Sequence, residues 1–363
     1  MKIAIVHEYL IKHGGAERVL DELLKVFPEA EIFTFVYDEK EMGDRYASFK
    51  IHPSFMQKLP FGKKKFAFPL MPQAAESFDL SGFEVVISNS HSFAKGIVVP
   101  PDILHICYLH TPTRYLWHDK DESLKNFAIP KFLQRAVAAK LSDLRSWDFA
   151  AAQRPDLYIA NSKNVARRIK KYYRRKARVI YPPVDSDFFK PGKKDGDFFL
   201  VVSRLEPHKK VDLSVAAFNE LPNKLKIVGT GSEEARLKKM ARGRIDFLGE
   251  LSDNEVRKYY QRAQAFIFPQ EEDFGITPLE AASCGRPTIA FNRGGAKETV
   301  IRGLNGVLFE KQTSESLKKA VKQFQKLSFD KERIREHALK FSAPVFREKW
   351  RKLVFEELKK FKI

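Results

Sequence analysis

The sequence predicts an α/β protein of two domains, each a parallel sheet flanked by helices. Three observations lead there. At 363 residues the chain exceeds what one core usually serves and suits two. Short runs such as FEVVIS (83–88), ILHICYL (103–109) and FFLVVS (198–203) are apolar on both faces, the pattern of strands covered on both sides of a parallel sheet. Stretches of helical spacing alternate with them, punctuated by Gly, Pro and Ser turns.

Composition narrows the class. The chain is 44% hydrophobic and 31% charged, both globular values. It has no run of 18 apolar residues, so no membrane-spanning helix is expected. The opening MKIAIVHEYL reaches an acid too early for a signal peptide and reads as a first strand. Cys107 and Cys284 are the only cysteines, too few for a disulfide framework or a zinc site. These features predict a cytoplasmic protein. A net charge of +19 means attraction to something anionic, and nucleic acid, anionic lipid and nucleotide-linked substrates all qualify.

The first domain is expected over residues 1–185. Its first strand, IAIV, leads into a loop with Gly14-Gly15, which opens a helix carrying Val19, Leu20, Leu23, Leu24 and Phe27. Glycines at a strand-to-helix turn let backbone amides face a phosphate, or serve only the turn. The pattern is not G-x-G-x-x-G, which weakens a nicotinamide reading. EIFTFVY (31–37) is a second strand. Residues 52–72 set Phe55, Met56, Phe61, Phe66 and Phe68 around Lys63-Lys64-Lys65. Such a segment suits an anionic membrane surface, and equally a partly buried loop with a solvated lysine tip. ILHICYL runs into HTPTRYLW (110–117), which places His110 at the end of a parallel strand, where α/β proteins bind ligands. A long helical region follows from Ala128 to Ala151, then the strand LYIA (157–160) and a helix capped by Asn161-Ser162. KNVARRIKKYYRRKAR (163–178) holds nine basic residues and no acid, with Val165, Ile169 and Tyr172 as its docked face. Its density favours anionic lipid or a phosphorylated acceptor, and no nucleic-acid motif accompanies it. VIYPPVD and the polar PGKKDGD after Lys190 read as the linker.

The second domain is expected over 186–345. FFLVVS is followed by RLEPHKKVDL, which sets Arg204 at a strand end and Lys209 just before a helix. LKIVGTG (225–231) is a strand ending in Gly229 and Gly231, and IDFLG (245–249) is a short one containing Leu248. The most informative stretch is FIFPQEEDFGITPLEAASCGRPTIAFNRGGAKE (266–298). A buried strand ends at Pro269, two acids follow, and the loop Asp273-Phe274-Gly275-Ile276 precedes a helix with Thr277 as N-cap and Pro278 in its first turn. Glu272 and Glu280 lie eight residues apart, one before that helix and one a turn inside it. Carboxylates beside an amide-rich helix start suit a ligand with both an anionic group and hydroxyls, as in a nucleoside diphosphate sugar. Residues 346–363 form a last amphipathic helix through Phe346, Trp350, Leu353, Val354 and Leu358.

Residues 266–298 resemble the Glu-x7-Glu signature of retaining glycosyltransferases of family 4, and HTPTRYLW resembles their mannosyltransferase-like subgroup. The resemblance covers nearly the whole chain and is loosest at residues 38–82. It implies the GT-B fold, two Rossmann-like domains facing each other across a cleft, with the last helix crossing back to the first. By that resemblance Glu280 holds the donor ribose. Glu272, with Asp273, Phe274, Gly275, Ile276 and Thr277, holds the transferred sugar. Arg204 and Lys209 neutralise the diphosphate, helped by Gly14 and Gly15. His110 lies near the donor sugar, Gly229 and Leu248 border the nucleotide, and Arg114 and Trp117 line the cleft or the acceptor site. It also implies retention at the anomeric carbon. Fixed cations stabilise a departing diphosphate without a metal, so no metal is expected to be required. The expected partners are GDP-mannose and a lipid-linked glycan, with no cofactor and no nucleic acid, and the expected address is the cytoplasm or the inner face of a membrane. A UDP-sugar donor is the alternative within the class. A nucleotide-sugar or polyanion binder without turnover is the alternative outside it.

Overall fold

A computed structural model describes residues 1–60, 68–118 and 134–362. The Lys63-Lys64-Lys65 cluster with Phe61 and Phe66, and the first part of the helical region expected from Ala128, lie outside the described residues. The chain divides into two compact units, Met1–Tyr181 with Phe346–Ile363, and Pro182–Val345. The break falls at Tyr181, and the polar PGKKDGD segment is tied into the second unit, where Asp195 pairs with Arg286 at 2.6 Å and with Lys331 at 2.7 Å.

The first unit is a seven-stranded sheet in the order β3-β2-β1-β4-β5-β6-β7. Its strands are β1 (Ile3–Leu10), β2 (Glu31–Tyr37), β3 (Ile51–Pro53), β4 (Val85–Ser90), β5 (Leu104–Leu109), β6 (Leu157–Ala160) and β7 (Ala177–Val179). Every described pairing is parallel. One face of the sheet carries the helix Gly15–Val26, which buries Val19, Leu20, Leu23 and Leu24 against Ile3, Ile5, Val85 and Ile87. The helix Ala343–Phe361 brings Phe346, Trp350, Leu353 and Val354 into the same core, with the Trp350 ring 5.8 Å from that of Tyr108. Each such side chain, fully buried, contributes about 1.5–3 kcal/mol.

Two local readings change. β1 runs through Leu10 instead of stopping after Val6, because the buried Glu8 finds hydrogen-bond donors in residues 90–94 and needs no loop to reach water. The basic helix Lys163–Tyr173 buries Val165, Ile169 and Tyr173, not Tyr172. A stride of four keeps that face in line, and the Tyr173 hydroxyl donates to Asp148 at 2.8 Å.

The second unit is a six-stranded parallel sheet in the order β10-β9-β8-β11-β12-β13. Its strands are β8 (Phe198–Val202), β9 (Lys224–Val228), β10 (Ile245–Gly249), β11 (Phe266–Phe268), β12 (Thr288–Phe291) and β13 (Gly306–Phe309). Apolar clusters cover its two faces, one around Phe199, Val201 and Ile227 and the other around Leu200, Tyr260 and Phe266. Strand order reverses between β1 and β4 in the first unit and between β8 and β11 in the second. Helices leave in opposite directions at such a switch point, and the crevice outside the carboxyl ends of those strands is where α/β sheets place ligands.

Candidate functional site

At the second unit's switch point, β8 is followed by Ser203-Arg204 and β11 by Pro269-Gln270, and the segments beyond these strands meet. Lys209, on the short 3-10 turn Pro207–Lys209, forms an ion pair through Nζ with Oε1 of Glu272, 63 positions further on. Both side chains are about one-sixth exposed. The pair is therefore neither sealed in the core nor screened as a surface bridge would be. Arg204 is exposed beside it in sequence.

The backbone around Glu272 is held by close contacts. Its carbonyl accepts from Gly295 N–H at 2.8 Å, so the Gly-Gly turn anchors the acidic loop. Gly275 has φ +84, and an added Cβ would lie 2.9 Å from the Phe268 ring. Gly229 has φ +126, and an added Cβ would lie 1.9 Å from the Ser203 carbonyl. Gly229 thus packs β9 against the strand end that carries Arg204, and Leu248 is half-buried in the core around Leu200 and Tyr260. Asp273 and Phe274 are buried, the latter with its ring 6.1 Å from Phe341.

The helix after this loop spans Thr277–Ser283, so Thr277 is its first residue and Ile276 takes the N-cap place expected for Thr277. No side chain caps it. The preceding loop closes the turn through its main chain, with Leu279 N–H and Glu280 N–H both donating to the Ile276 carbonyl at 2.8 and 3.0 Å. Glu280 is 5% exposed, and Tyr260, fully buried, donates its hydroxyl to Oε2 of Glu280 at 3.1 Å.

The first unit's switch point carries a polar chain that sequence reading did not find beyond Gly14 and His110. His110 Nε2 lies 2.7 Å from Asn89 Oδ1, Asn89 Nδ2 lies 3.1 Å from His7 Nδ1, and His7 Nε2 lies 3.0 Å from Glu17 Oε1. An amide oxygen only accepts and an amide nitrogen only donates, which fixes the direction. His110 Nε2–H donates to Asn89, Asn89 to His7, and His7 Nε2–H to Glu17. His7 is neutral in that arrangement because its Nδ1 accepts, and burial, with nearby His91 adding to it, pushes His110 down to about 3. Glu17 also accepts the Gly14 N–H at 2.8 Å, so that amide is already occupied by a carboxylate.

Beside this chain lies Glu8, fully buried. It accepts from Ser90 Oγ and from the amides of His91, Ser92 and Ala94 at 2.7–3.0 Å, and pairs with His91 Nε2 at 3.1 Å. Burial alone would raise its pKa, but His91 and the amides outweigh that and hold it at about 2. The signal for Glu8 was visible: an acid inside an apolar strand.

HTPTRYLW is fixed from below by Asp148. That buried carboxylate receives Lys95 Nζ at 2.5 Å, Thr113 Oγ1 at 2.6 Å, Trp117 Nε1 at 2.8 Å and Tyr173 Oη at 2.8 Å. Trp117 thus spends its N–H on the core and stacks on Tyr172, with ring centroids 5.4 Å apart. Arg114 opens the short helix Arg114–Trp117 and is half-buried. Among the described residues no group of three or more His, Cys, Asp or Glu is arranged to hold a metal ion, and no helix is long and apolar enough to cross a membrane.

Comparison with known proteins decides the family. Residues 13–188 match the model "Glycosyltransferase Family 4", and residues 184–341 match "Glycosyl transferases group 1". The chain is a family 4-like glycosyltransferase. It is 27% identical over 332 residues to an uncharacterized glycosyltransferase of Methanocaldococcus jannaschii, covering 88% of this chain and 87% of that one. A D-inositol 3-phosphate glycosyltransferase of Geodermatophilus obscurus is 30% identical over 189 residues, covering 43% and 42%. The alpha-1,3/1,6-mannosyltransferase ALG2 of Saccharomyces cerevisiae is 26% identical over 201 residues, 40% of each chain. Among solved structures, Anabaena HepE in complex with UDP superposes with a TM-score of 0.75 at 18% identity, over 98% of this glycosyltransferase and 100% of HepE. The fold is GT-B.

Proposed function

We propose that this glycosyltransferase transfers a hexose, mannose from GDP-mannose, to a lipid-linked glycan of cell-surface polysaccharide assembly, with retention and without a metal. The observation that carries the reading is the Lys209–Glu272 pair at the β8/β11 switch point, with Glu280 buried a turn into the next helix. A nucleotide sugar satisfies both members: Lys209 and Arg204 take phosphate oxygens, and Glu272 takes sugar hydroxyls. Glu280 takes the ribose hydroxyls in this reading. As the glycosidic bond breaks, negative charge grows on the diphosphate, and two fixed cations stabilise it. His110, neutral and tied to Asn89, acts as a hydrogen-bonding group toward the sugar and not as a charge. Attack on the face the diphosphate leaves, assisted by that phosphate, gives retention without a carboxylate nucleophile.

HTPTRYLW and the match to ALG2 support mannose. The UDP-bound HepE neighbour supports a UDP-sugar as the second reading. The basic helix Lys163–Tyr173 supports a peripheral place at the cytoplasmic face of a membrane. A melting-temperature panel with GDP, UDP, ADP and their sugars, with and without EDTA, tests the donor, because a ligand that binds only the folded state raises the melting temperature. Stabilisation by GDP and GDP-mannose in EDTA is expected, and preference for UDP transfers the reading to the second donor. Proton NMR of the product tests retention, and an inverted anomeric centre overturns it. A protein that binds a donor but never hydrolyses or transfers it is a binder, not an enzyme.

A further inference from the structure

The first unit has a cavity of about 620 Å³ at the end of its sheet opposite to the switch point. Its lining comes from the strand starts: Lys2 before β1, Glu31 opening β2, Lys50 and His52 at β3, and Phe83 before β4. His7 and Asn89 lie toward the carboxyl ends of β1 and β4, and His110 follows the neighbouring β5. Whatever fills this cavity is not the group that reacts.

The lining has a definite chemistry. Phe33 forms an almost fully buried floor, with His52 stacked on it at 4.4 Å and the edges of Phe78 and Phe83 meeting it at 5.6 Å each. Phe55, 43% exposed, stands at the rim. Around these rings are two ammonium groups, Lys2 and Lys50, and two carboxylates, Glu31 and Asp79. Glu31 binds His52 Nε2 at 2.6 Å and Lys50 Nζ at 3.1 Å, and Asp79 binds the Ser81 hydroxyl at 2.6 Å. In a chain of net charge +19, a cavity whose charges cancel does not select an anion. Aromatic faces with charged hydrogen-bonding groups at their edges suit a neutral polyhydroxylated ligand, whose C–H faces pack on rings and whose hydroxyls both donate and accept. The volume lies within the ~300–1,000 Å³ of small-molecule sites and admits a short oligosaccharide.

We infer that this cavity is a second carbohydrate-binding site, one that holds a neutral stretch of glycan away from the reacting end. A glycosyltransferase that grips its glycan at two places raises the effective concentration of the reacting end without new contacts there. The inference uses the family's activity and is independent of which donor is used.

The test is isothermal titration and saturation-transfer NMR with two neutral probes, α-mannohexaose and maltohexaose, and with oligogalacturonate as an anionic control. Wild-type protein binds at least one neutral probe and binds the control more weakly. The double variant His52→Ala/Phe55→Ala weakens neutral binding tenfold or more while keeping its melting temperature and its donor hydrolysis rate. Lys50→Ala gives an independent rim variant should the double variant melt early. Lys209→Ala keeps oligosaccharide binding and loses stabilisation by nucleotide, so a failed donor reading and a failed cavity reading give different results. Absence of binding by both neutral probes, unchanged binding in the rim variants, or tighter binding of the anionic control overturns the inference.

Discussion

The two sheets reverse strand order in the same way, yet their switch points are chemically opposite. In the first unit Glu8, Glu17, His7, Asn89 and His110 satisfy one another and the main chain around them, and desolvation keeps His110 neutral. In the second unit the charges are still available: Lys209 and Glu272 are paired at partial exposure, and Arg204 is exposed. Topology gives each sheet a place for a ligand. Hydration decides whether that place is pre-set for hydrogen bonding or for charge.

The largest way to break this contrast is to leave a charge uncompensated inside the first unit. Asp148 and Lys95 are both fully buried. Asp148→Asn strands the ammonium, and a broken buried pair costs about 3–5 kcal/mol. Urea denaturation is expected to show a loss of that size, while the second unit's nucleotide-dependent stabilisation persists. A change below about 1 kcal/mol would mean that the pair is not sealed.

In the second unit the same kind of charge removal acts on activity, not stability. Glu272→Gln and Lys209→Ala are each expected to lower kcat by about 10²–10³-fold, the range for losing one electrostatic stabiliser of a transition state. The melting temperature of the free protein is expected to fall less than in Asp148→Asn, because the Lys209–Glu272 pair keeps partial access to water. Equal activity in either variant would remove both residues from the proposed chemistry.

The acid limb of stability tests the first unit's buried groups next. Glu8 titrates near 2 in the folded chain against an ordinary 4.5, so its contribution is present above 4.5 and is lost as pH falls through about 2. That shift corresponds to on the order of 3 kcal/mol. His110 acts in the same direction. Held near 3 when folded, it binds its proton more readily once unfolded, so stability falls as pH drops below about 6.5 and levels off below about 3. Stability curves from pH 7 to 2 are expected to flatten at the upper end for His110→Gln and at the lower end for Glu8→Gln. If both variants follow the wild-type slope, the acid sensitivity has another source.

Much of this was legible in the sequence, and the misses share a cause. The sheets and the helix containing Pro278 follow from apolar runs and turn residues, which are local signals, while the family motifs came from resemblance. The Lys209–Glu272 contact joins positions 63 apart, so the family resemblance nominated both residues without pairing them. Thr277 looked like an N-cap because capping preference is a property of residue type. The main chain instead enters the helix one residue earlier, through Ile276. Trp117 was expected to line the cleft because HTPTRYLW resembles a family motif, and the sequence did not show what holds it. Its partner Asp148 lies on another helix, and no periodicity announces it. Gly14 has an amide that a phosphate would use, but Glu17 three residues on takes it, a capping-box contact that the E at that spacing did signal.

The smallest expected effect is also the most selective. Tyr260 is fully buried, and its hydroxyl donates to Glu280 Oε2 at 3.1 Å, which leaves the carboxylate with one fewer free direction. If Glu280 holds the donor ribose, Tyr260 is a positioning residue that never touches substrate. Tyr260→Phe keeps the ring and deletes one hydrogen bond, worth about 0.5–1.5 kcal/mol. Donor KM is expected to rise about 2- to 10-fold with kcat nearly unchanged. A 2′-deoxyribose donor analogue is expected to lose less in the variant than in the wild type, because the contact it lacks is already loosened. Were Tyr260 only part of the core, the variant would change the melting temperature and leave the ratio of natural to deoxy donor where it was. That ratio therefore decides whether the buried hydroxyl serves the core or the site.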